Sequence, residues 1–349
     1  MTATHQTATD QIASPATSTA RGAVVLTSIA SPNDVMKRIA QDCDRLRMPF
    51  FVIGDTKSPA DFDLDGCRFF SYDAQRALAF ETAKLCPPRH YARKNIGYLL
   101  AMDEGVDFIV ETDDDNMPFD DFYAPLPVSM PVATLNDCGW VNVYRYYSDH
   151  LIWPRGLPLD AIGQPLPELG PEREVAVPIQ QGLANDNPDV DAIYRLTLPL
   201  PFTFDRSIRV ALGAGAWCPY NSQNTIHYAP AFPLLYLPAY CSFRMTDIWR
   251  SFVAQRIAWA NGWSILFREA TVTQDRNDHS LIKDFEDEIS GYLGNRRIGA
   301  MLDALDIPAG EANIPAAMRL CYGAMVEGGF VGPEELPLLD AWLADIAGR

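Results

Sequence analysis

The apolar run Val106-Asp107-Phe108-Ile109-Val110, followed after Glu111-Thr112 by Asp113-Asp114-Asp115, constrains this chain more than any other stretch. A short buried strand that ends in carboxylates delivers them to the carboxyl edge of a sheet, where open α/β folds bind ligands. Three adjacent like charges repel and raise one another's pKa, so the cluster is costly unless a cation compensates it. Hard oxygen donors suit Mg2+ or Mn2+, ions that typically join one or two carboxylates to the phosphates of a substrate. A solvated acidic turn is the competing interpretation, because aspartate favours turns in any case.

The sequence before the triplet alternates strands with helices. Ala23 to Ile29 is a continuous apolar and β-branched run, suited to a parallel strand. Ser31-Pro32-Asn33-Asp34 opens a helix, with Ser31 as cap and Pro32 at the first position, and Val35, Ile39, Cys43 and Leu46 recur at helical spacing to give a buried stripe. Pro49 to Ile53 and Cys67 to Ser71 read as further strands. A helix near Tyr91 to Glu104 turns Ala92, Ile96, Leu99 and Leu100 inward and stops at Gly105 in a left-handed turn. This alternation predicts a parallel, Rossmann-like sheet. Beyond the triplet, the Pro-rich stretches at 125–131, 154–178 and 199–201 resist long helices. Helical spacing returns at Asp247 to Ala260, and the segment from about Ile298 is helical and acidic.

Charge and composition exclude several functions. A formal charge of −17 over 349 residues offers no basic stripe for a nucleic acid. It leaves room for a nucleotide, whose few charges one metal and one or two basic side chains can meet. No run approaches the roughly 18 apolar residues that a membrane span requires. The opening segment, Met1 to Gly22, is rich in Thr, Ala, Ser and Gln, lacks an apolar core and reads as a flexible tail. Seven cysteines are scattered without a close pair, the pattern of reduced thiols, and do not suggest a zinc site.

A nucleotide-type first half ending in Thr112-Asp113-Asp114-Asp115 points to a sugar-nucleotide enzyme, in which a metal would assist departure of a diphosphate. D-x-D spacing nominates Asp113 and Asp115 for metal and leaves Asp114 for sugar or ribose hydroxyls. Arg93 and Lys94, at the start of a helix beside the sheet edge, are candidates for the donor phosphates. Thr27, at the end of the first strand, and Asp55 and Lys57, after the second, fall where a base or ribose would lie. The aromatic set Trp217, Tyr220, Tyr228, Tyr236, Tyr240 and Trp249 is expected in the core, with acceptor stacking as the alternative. The polar run Asn221-Ser222-Gln223-Asn224 needs hydrogen-bond partners that a sugar would supply.

Four motifs occur in order: His90-Tyr91-Ala92-Arg93-Lys94-Asn95-Ile96-Gly97-Tyr98, the acidic triplet, Trp153-Pro154-Arg155-Gly156-Leu157-Pro158-Leu159, and Cys241-Ser242-Phe243-Arg244-Met245-Thr246-Asp247-Ile248-Trp249-Arg250. Together they resemble the STELLO-type glycosyltransferases and, more distantly, the reversibly glycosylated polypeptides, which are UDP-arabinopyranose mutases. The resemblance runs from about Ala23 to Leu293. It implies an α/β, GT-A-like Rossmann-type nucleotide-diphospho-sugar transferase fold, a nucleotide-sugar donor that is UDP-linked, a glycan or other hydroxyl acceptor, and Mn2+ or Mg2+. The corresponding division is a disordered tail at 1–22, a GT-A-like domain at 23–297 and a helical subdomain at 298–349. Within the domain, 23–116 would bind the nucleotide sugar and 117–297 the acceptor. The resemblance also suggests Asp247 as the base that accepts the acceptor's proton, an N-cap role being its structural counterpart. Arg155 matches an arginine that becomes glycosylated in the mutases, against a simpler role as a phosphate or substrate clamp. His279 becomes a candidate third metal ligand, because many GT-A sites take a late histidine. Plant relatives carry a membrane anchor. Without such a run, a cytoplasmic location extending to the inner membrane face, and a part in surface polysaccharide synthesis, are the expectations. Two alternatives stay open: a nucleotide-sugar mutase acting through Arg155, and a non-catalytic scaffold for other glycosyltransferases.

Overall fold

A computed structural model describes residues 20–277 and 280–349 of the chain. The first half is the expected strand–helix alternation. Strands β1 (Gly22–Thr27), β2 (Phe50–Ile53), β3 (Arg68–Phe70) and β4 (Phe108–Thr112) pair in parallel, in the order β3-β2-β1-β4. Side chains alternate across this sheet with period two. Ala23, Val25, Phe51 and Ile53 pack on one face with Ile96 and Leu99 of helix α4 (Lys94–Asp103). Val24, Leu26, Val52 and Val110 pack on the other with Val35, Met36, Ile39 and Cys43 of α1 (Asp34–Leu46). Each Val, Leu, Ile, Phe or Met side chain so removed from water contributes about 1.5–3 kcal/mol.

Two local expectations shift. The cap of α1 is Asn33, not Ser31: its Oδ1 accepts from the Met36 amide at 2.9 Å. Leu46, placed in the buried stripe by its spacing, is 40% exposed, because the helix ends there and Arg47 turns left-handed. The second helix follows its expectation more closely. A 3-10 turn at Tyr91–Arg93 leads into α4, and Gly105 at φ +64 takes the chain away. Gly97 lets α4 approach the sheet, since a Cβ there would stand 2.5 Å from Val25 Cγ1 and 2.8 Å from Ile53 Cγ1.

Two short helices, α2 (Tyr72–Arg76) and α3 (Glu81–Leu85), connect β3 to α4. Past the triplet come β5 (Asn116–Pro118), β6 (Ser129–Leu135), β7 (Gly139–Trp140), β8 (Glu172–Asn185), α5 (Ala192–Thr197), β9 (Val210–Leu212), β10 (Ala216–Trp217) and β11 (Asn224–Tyr228). Helix α6 (Thr246–Ala260) and strand β12 (Trp263–Gln274) complete this half. β11 joins β4 antiparallel and carries the sheet onward through β8. β8 pairs with β6 and β12, and β9 bridges β6 and β12, so this half closes on itself around Met130, Val132, Val177, Ala211 and Leu266. β5, just after the triplet, pairs with the end of β12 and brings Gln274 alongside Asn116.

Helices α7 (Leu281–Asp303), α8 (Ile314–Glu327) and α9 (Glu335–Ile346) end the chain. The 297/298 boundary expected from sequence falls within α7. Ile298, Leu302, Met318, Leu339 and Trp342 share a continuous core with the sheet. The Asp345 carboxylate accepts from the Glu81 and Thr82 amides at 3.1 and 2.8 Å, supplying α3 with the cap that Phe80 cannot provide. Among the described residues no helix is long and apolar enough to cross a membrane.

Candidate functional site

The three aspartates leave the end of β4 and fan apart. Asp113 accepts from the buried Lys94 Nζ at 2.7 Å, and the same ammonium donates to the Thr112 and Ser222 carbonyls at 2.9 and 3.2 Å. Lys94 thus faces the triplet, one helical turn above the close approach at Gly97. Asp114 turns the other way. Its carboxylate accepts from Ser28 Oγ and from Asn277 Nδ2 at 3.3 Å, while its carbonyl accepts from Asn33 Nδ2 at 2.7 Å. Asn33 therefore caps α1 and fastens the triplet with one side chain. Asp115 accepts from Gln274 Nε2 at 3.2 Å and from the Asn277 amide at 3.4 Å. Burial and the neighbouring Asp113 push its carboxyl up to about 6. Among the described residues, no three His, Cys, Asp or Glu side chains converge on one point. His279, the expected third ligand, lies outside the described residues.

Beneath the triplet, Glu111 is fully buried against Arg250 at 2.8 Å and accepts from the Tyr98 hydroxyl. This ion pair ties β4 to α6 and so fixes the triplet relative to Asp247.

Asp247, in the first turn of α6, is buried and heavily solvated by the protein. Arg155 donates to its two oxygens at 3.0 and 2.8 Å, the Ser222 amide donates at 3.2 Å, and the Tyr91 hydroxyl at 3.1 Å. Burial opposes its charge, yet Arg155 outweighs burial and holds the carboxyl well below the usual carboxylate range. A carboxylate so stabilised is a weak base, and the proton-accepting role expected of Asp247 requires release from Arg155. Arg155 itself bridges Asp247 to Asp189, with Nε and Nη2 donating to Asp189 at 2.8 and 2.9 Å. Its remaining N–H reaches the Arg244 carbonyl, so each of its five donors has a protein acceptor. No donor is left for a phosphate clamp. Burial works against the guanidinium, but Asp189 and Asp247 keep its pKa well above even the usual arginine value. That arrangement disfavours a nucleophilic nitrogen.

The cleft consists of adjoining chambers along the carboxyl ends of the strands. The first, about 360 Å3, is lined by Thr27, Ile29, Ile53, Asp55, Lys57, His90, Arg93 and Phe243. Arg93 is not at the triplet. Its Nε and Nη1 donate to Gln75 Oε1 and the Cys86 carbonyl, both at 2.8 Å, and its guanidinium lies 4.7 Å from the Tyr72 ring centroid. The Asp55 carboxylate accepts from the His90 and Thr56 amides at 3.0 and 2.6 Å, shaping the floor, while Lys57 is exposed at the rim. The second chamber, about 250 Å3, is lined by Asp113, Asp114, Asp115, Arg155, Ser222 and Asp247. Thr27, Tyr91, Asp114, Phe243 and Asn277 border both. A third, of about 70 Å3, opens beyond Asp113 and Asp247.

The structure therefore gathers Thr27, Asp55, Lys57 and Arg93 around one chamber, and Asp113, Asp114, Asp115, Arg155 and Asp247 around the next, with Lys94 supporting Asp113. The aromatic set is elsewhere: Trp217, Tyr220, Tyr236 and Trp249 are buried in the core, and the rings that border both chambers are Tyr91 and Phe243. The amides of the 221–224 run are satisfied internally, Gln223 by Asn116 at 3.0 Å and Asn224 by Leu183 and Thr271 at 2.8 Å. Ser28, Asn33, Asp189, Glu111, Gln274 and Asn277 were not anticipated. Gln274 and Asn277 sit in the segment singled out for His279. Asp189 carries no local sign, since its partner is 34 residues away in the chain.

A Rossmann-like parallel sheet, continued by antiparallel strands and carrying an acidic cleft at its strand ends, defines the general class, an α/β protein with a mixed central sheet. Residues 244–348 match the family model for STELLO glycosyltransferases. The chain is 30% identical over 324 residues to "Probable glycosyltransferase STELLO2" and 29% over 322 residues to "Probable glycosyltransferase STELLO1", both of Arabidopsis thaliana. Each alignment covers 84% of this chain, which spans 41% and 40% of the longer relatives. Over the aligned span the chain is similar to the STELLO glycosyltransferases. A solved structure, "Crystal Structure of a Mycobacterial Protein", aligns over 80% of this chain and 76% of its own at 11% identity and a TM-score of 0.41.

Proposed function

We propose that the protein is a metal-dependent glycosyltransferase that moves a sugar from a UDP-linked donor to a glycan or other hydroxyl acceptor. The observation that supports this most is the pair Asp113 and Asp115 on the wall of a chamber beside a larger, partly apolar one. Burial and the neighbouring Asp113 raise the Asp115 carboxyl to about 6, so its charge is held at a cost that a divalent cation would relieve. With two carboxylates as ligands, Mn2+ or Mg2+ would keep positions for diphosphate oxygens and water, as such ions commonly do. Its chemistry would be charge neutralisation of the departing diphosphate.

The protein's own groups have distinct tasks in this reading. Lys94 holds Asp113 in position. The Thr27–Asp55–Lys57–Arg93 chamber receives base and ribose, and its wall contains two buried nitrogens without partners among the described residues, His90 Nε2 and Arg93 Nη2. Asp114 borders both chambers, suited to ribose or sugar hydroxyls. The Asp189–Arg155–Asp247 bridge sets the charge of the acceptor side, and Asp247 accepts a proton once Arg155 releases it. Work in surface polysaccharide synthesis at the cytoplasmic side of a membrane belongs to the same proposal.

Incubation with a panel of nucleotide sugars and Mn2+, followed by assay of free nucleotide, tests it. Release that needs both metal and the Asp113 and Asp115 carboxylates supports the transferase. A new ring form of an unconsumed nucleotide sugar would replace it with a mutase. Absence of metal-dependent UDP binding would leave a scaffold.

A further inference from the structure

The third chamber holds a charge arrangement that the proposed reaction does not use. It lies beyond Asp113 and Asp247, away from the base chamber, and is lined by the half-buried arginines Arg195, Arg244 and Arg276 together with the Arg155 bridge and the carboxylates of Asp113, Asp189 and Asp247. Two of the half-buried arginines are matched: Arg244 pairs with Glu288 at 2.8 Å, and Arg276 with Asp284 at 2.6 Å. Glu288 is itself saturated, also accepting from the Ala192 amide at 2.8 Å and the Tyr292 hydroxyl at 2.6 Å. Arg195 differs. Its guanidinium donates to the Val190 and Pro188 carbonyls at 3.3 and 2.9 Å and to Asn187 Oδ1 at 3.4 Å. None of these acceptors carries a charge. The two carboxylates nearest in chain order are engaged elsewhere: Asp191 accepts from Trp153 Nε1 at 2.7 Å and the Tyr194 amide at 2.8 Å, and both oxygens of Asp189 accept from Arg155.

A half-buried guanidinium with no carboxylate hydrogen-bonded to it can accept an oxyanion, because charge-assisted pairing is the strong form of hydrogen bond and guanidinium geometry suits carboxylate and phosphate. Burial, with the positive charges of Arg276 and Arg244 nearby, draws the Arg195 pKa down to about 10, outweighing the opposing pull of Asp189 and Asp284, neither of which hydrogen-bonds to it. An anion in the chamber would reverse that.

We propose that the Arg195 chamber binds an oxyanion distinct from the donor diphosphate, a carboxylate or phosphate carried by the sugar being transferred or by the acceptor. This deepens the glycosyltransferase reading and rests on it for the identity of the two substrates. The position favours it: the chamber adjoins Asp113 and Asp247 and lies across the triplet from the chamber assigned to the base.

Titration of the intact protein with glucuronate, glucose 6-phosphate and glucose, with and without UDP and Mn2+, is the test. Either anionic sugar is expected to bind about tenfold more tightly than glucose, with the preference reduced to about twofold in Arg195→Met. Arg195→Lys, which keeps the charge but loses the fork, should retain part of it. Thermal melting of each variant separates loss of the fold from loss of the site. Donor and acceptor origins are told apart by nucleotide release from UDP-glucuronate against UDP-glucose: a preference for the former that Arg195→Met removes assigns the anion to the transferred sugar, and equal release with tighter anionic acceptors assigns it to the acceptor. Equal binding of all three sugars by the wild-type protein overturns the inference, as does a preference that survives Arg195→Met. A parallel fall in UDP affinity in that variant also overturns it, because Arg195 would then serve the diphosphate. Anion preference in a protein that binds no UDP would instead overturn the donor reading and leave the oxyanion site standing.

Discussion

Replacing Arg155 with methionine should be among the most damaging single changes in the cleft. The guanidinium stands between two carboxylates whose side chains are 12% and 4% exposed, Asp189 and Asp247. Methionine preserves much of the apolar stem but removes the charge and all five donated hydrogen bonds. Breaking a buried pair by deleting one partner costs about 3–5 kcal/mol, because the remaining charge is stranded. Here two are stranded, although Asp247 keeps Tyr91 and the Ser222 amide. The expected loss for Arg155→Met at neutral pH is therefore about 3–5 kcal/mol. Asp247→Leu added to Arg155→Met removes one stranded charge, so the double variant should be more stable than additivity predicts by at least about 1 kcal/mol. Urea unfolding followed by tryptophan fluorescence reads both quantities, provided that probes of secondary structure give the same transition. A cost for Arg155→Met below about 1 kcal/mol, or a cycle that is additive within about 0.5 kcal/mol, would refute the reasoning.

Three other outcomes follow from the geometry. Asp113→Asn and Asp115→Asn should each abolish Mn2+-dependent UDP binding in calorimetry; Asp115→Asn should leave the melting temperature close to that of the wild type, whereas Asp113→Asn should lower it, because it removes the carboxylate paired with the buried Lys94 ammonium. Asp247 has a folded pKa below its ordinary 3.8. It therefore contributes stability that is present above that pH and lost as pH falls below it, and the stability gap between wild type and Asp247→Asn should narrow in acid unfolding titrations below about pH 4. Gly97→Ala should destabilise by about 1–3 kcal/mol, seen as a lower denaturant midpoint, because a new Cβ meets Val25 and Ile53 in a packed core.

Much of the first half was legible along the chain. β1, α1, β2, β3, α4 and β4 rest on apolar runs and helical stripes that stay local, and the triplet inherits its place at the sheet edge from the strand before it. The second half was not legible in this way. β8 reads Glu-Arg-Glu-Val-Ala-Val-Pro-Ile-Gln-Gln-Gly-Leu-Ala-Asn, without the alternation of a half-solvated strand, because partners on both sides and internal acceptors such as the Leu126 carbonyl satisfy its polar residues. The polar 221–224 run shows the same principle from the other side: its partners, Asn116, Gln181 and Thr271, come from three different strands.

From residue order alone one could establish an α/β sheet, its acidic edge and which side chains could do chemistry there, since these follow from periodicity and charge within a few residues. Residue order could not establish which charges remain free. Tertiary folding commits Arg155 to two aspartates, Lys94 to Asp113 and Arg93 to Gln75, yet leaves Arg195 with uncharged acceptors. Ion pairing depends on distance in space, and the partner that neutralises a side chain carries no mark in the sequence around it.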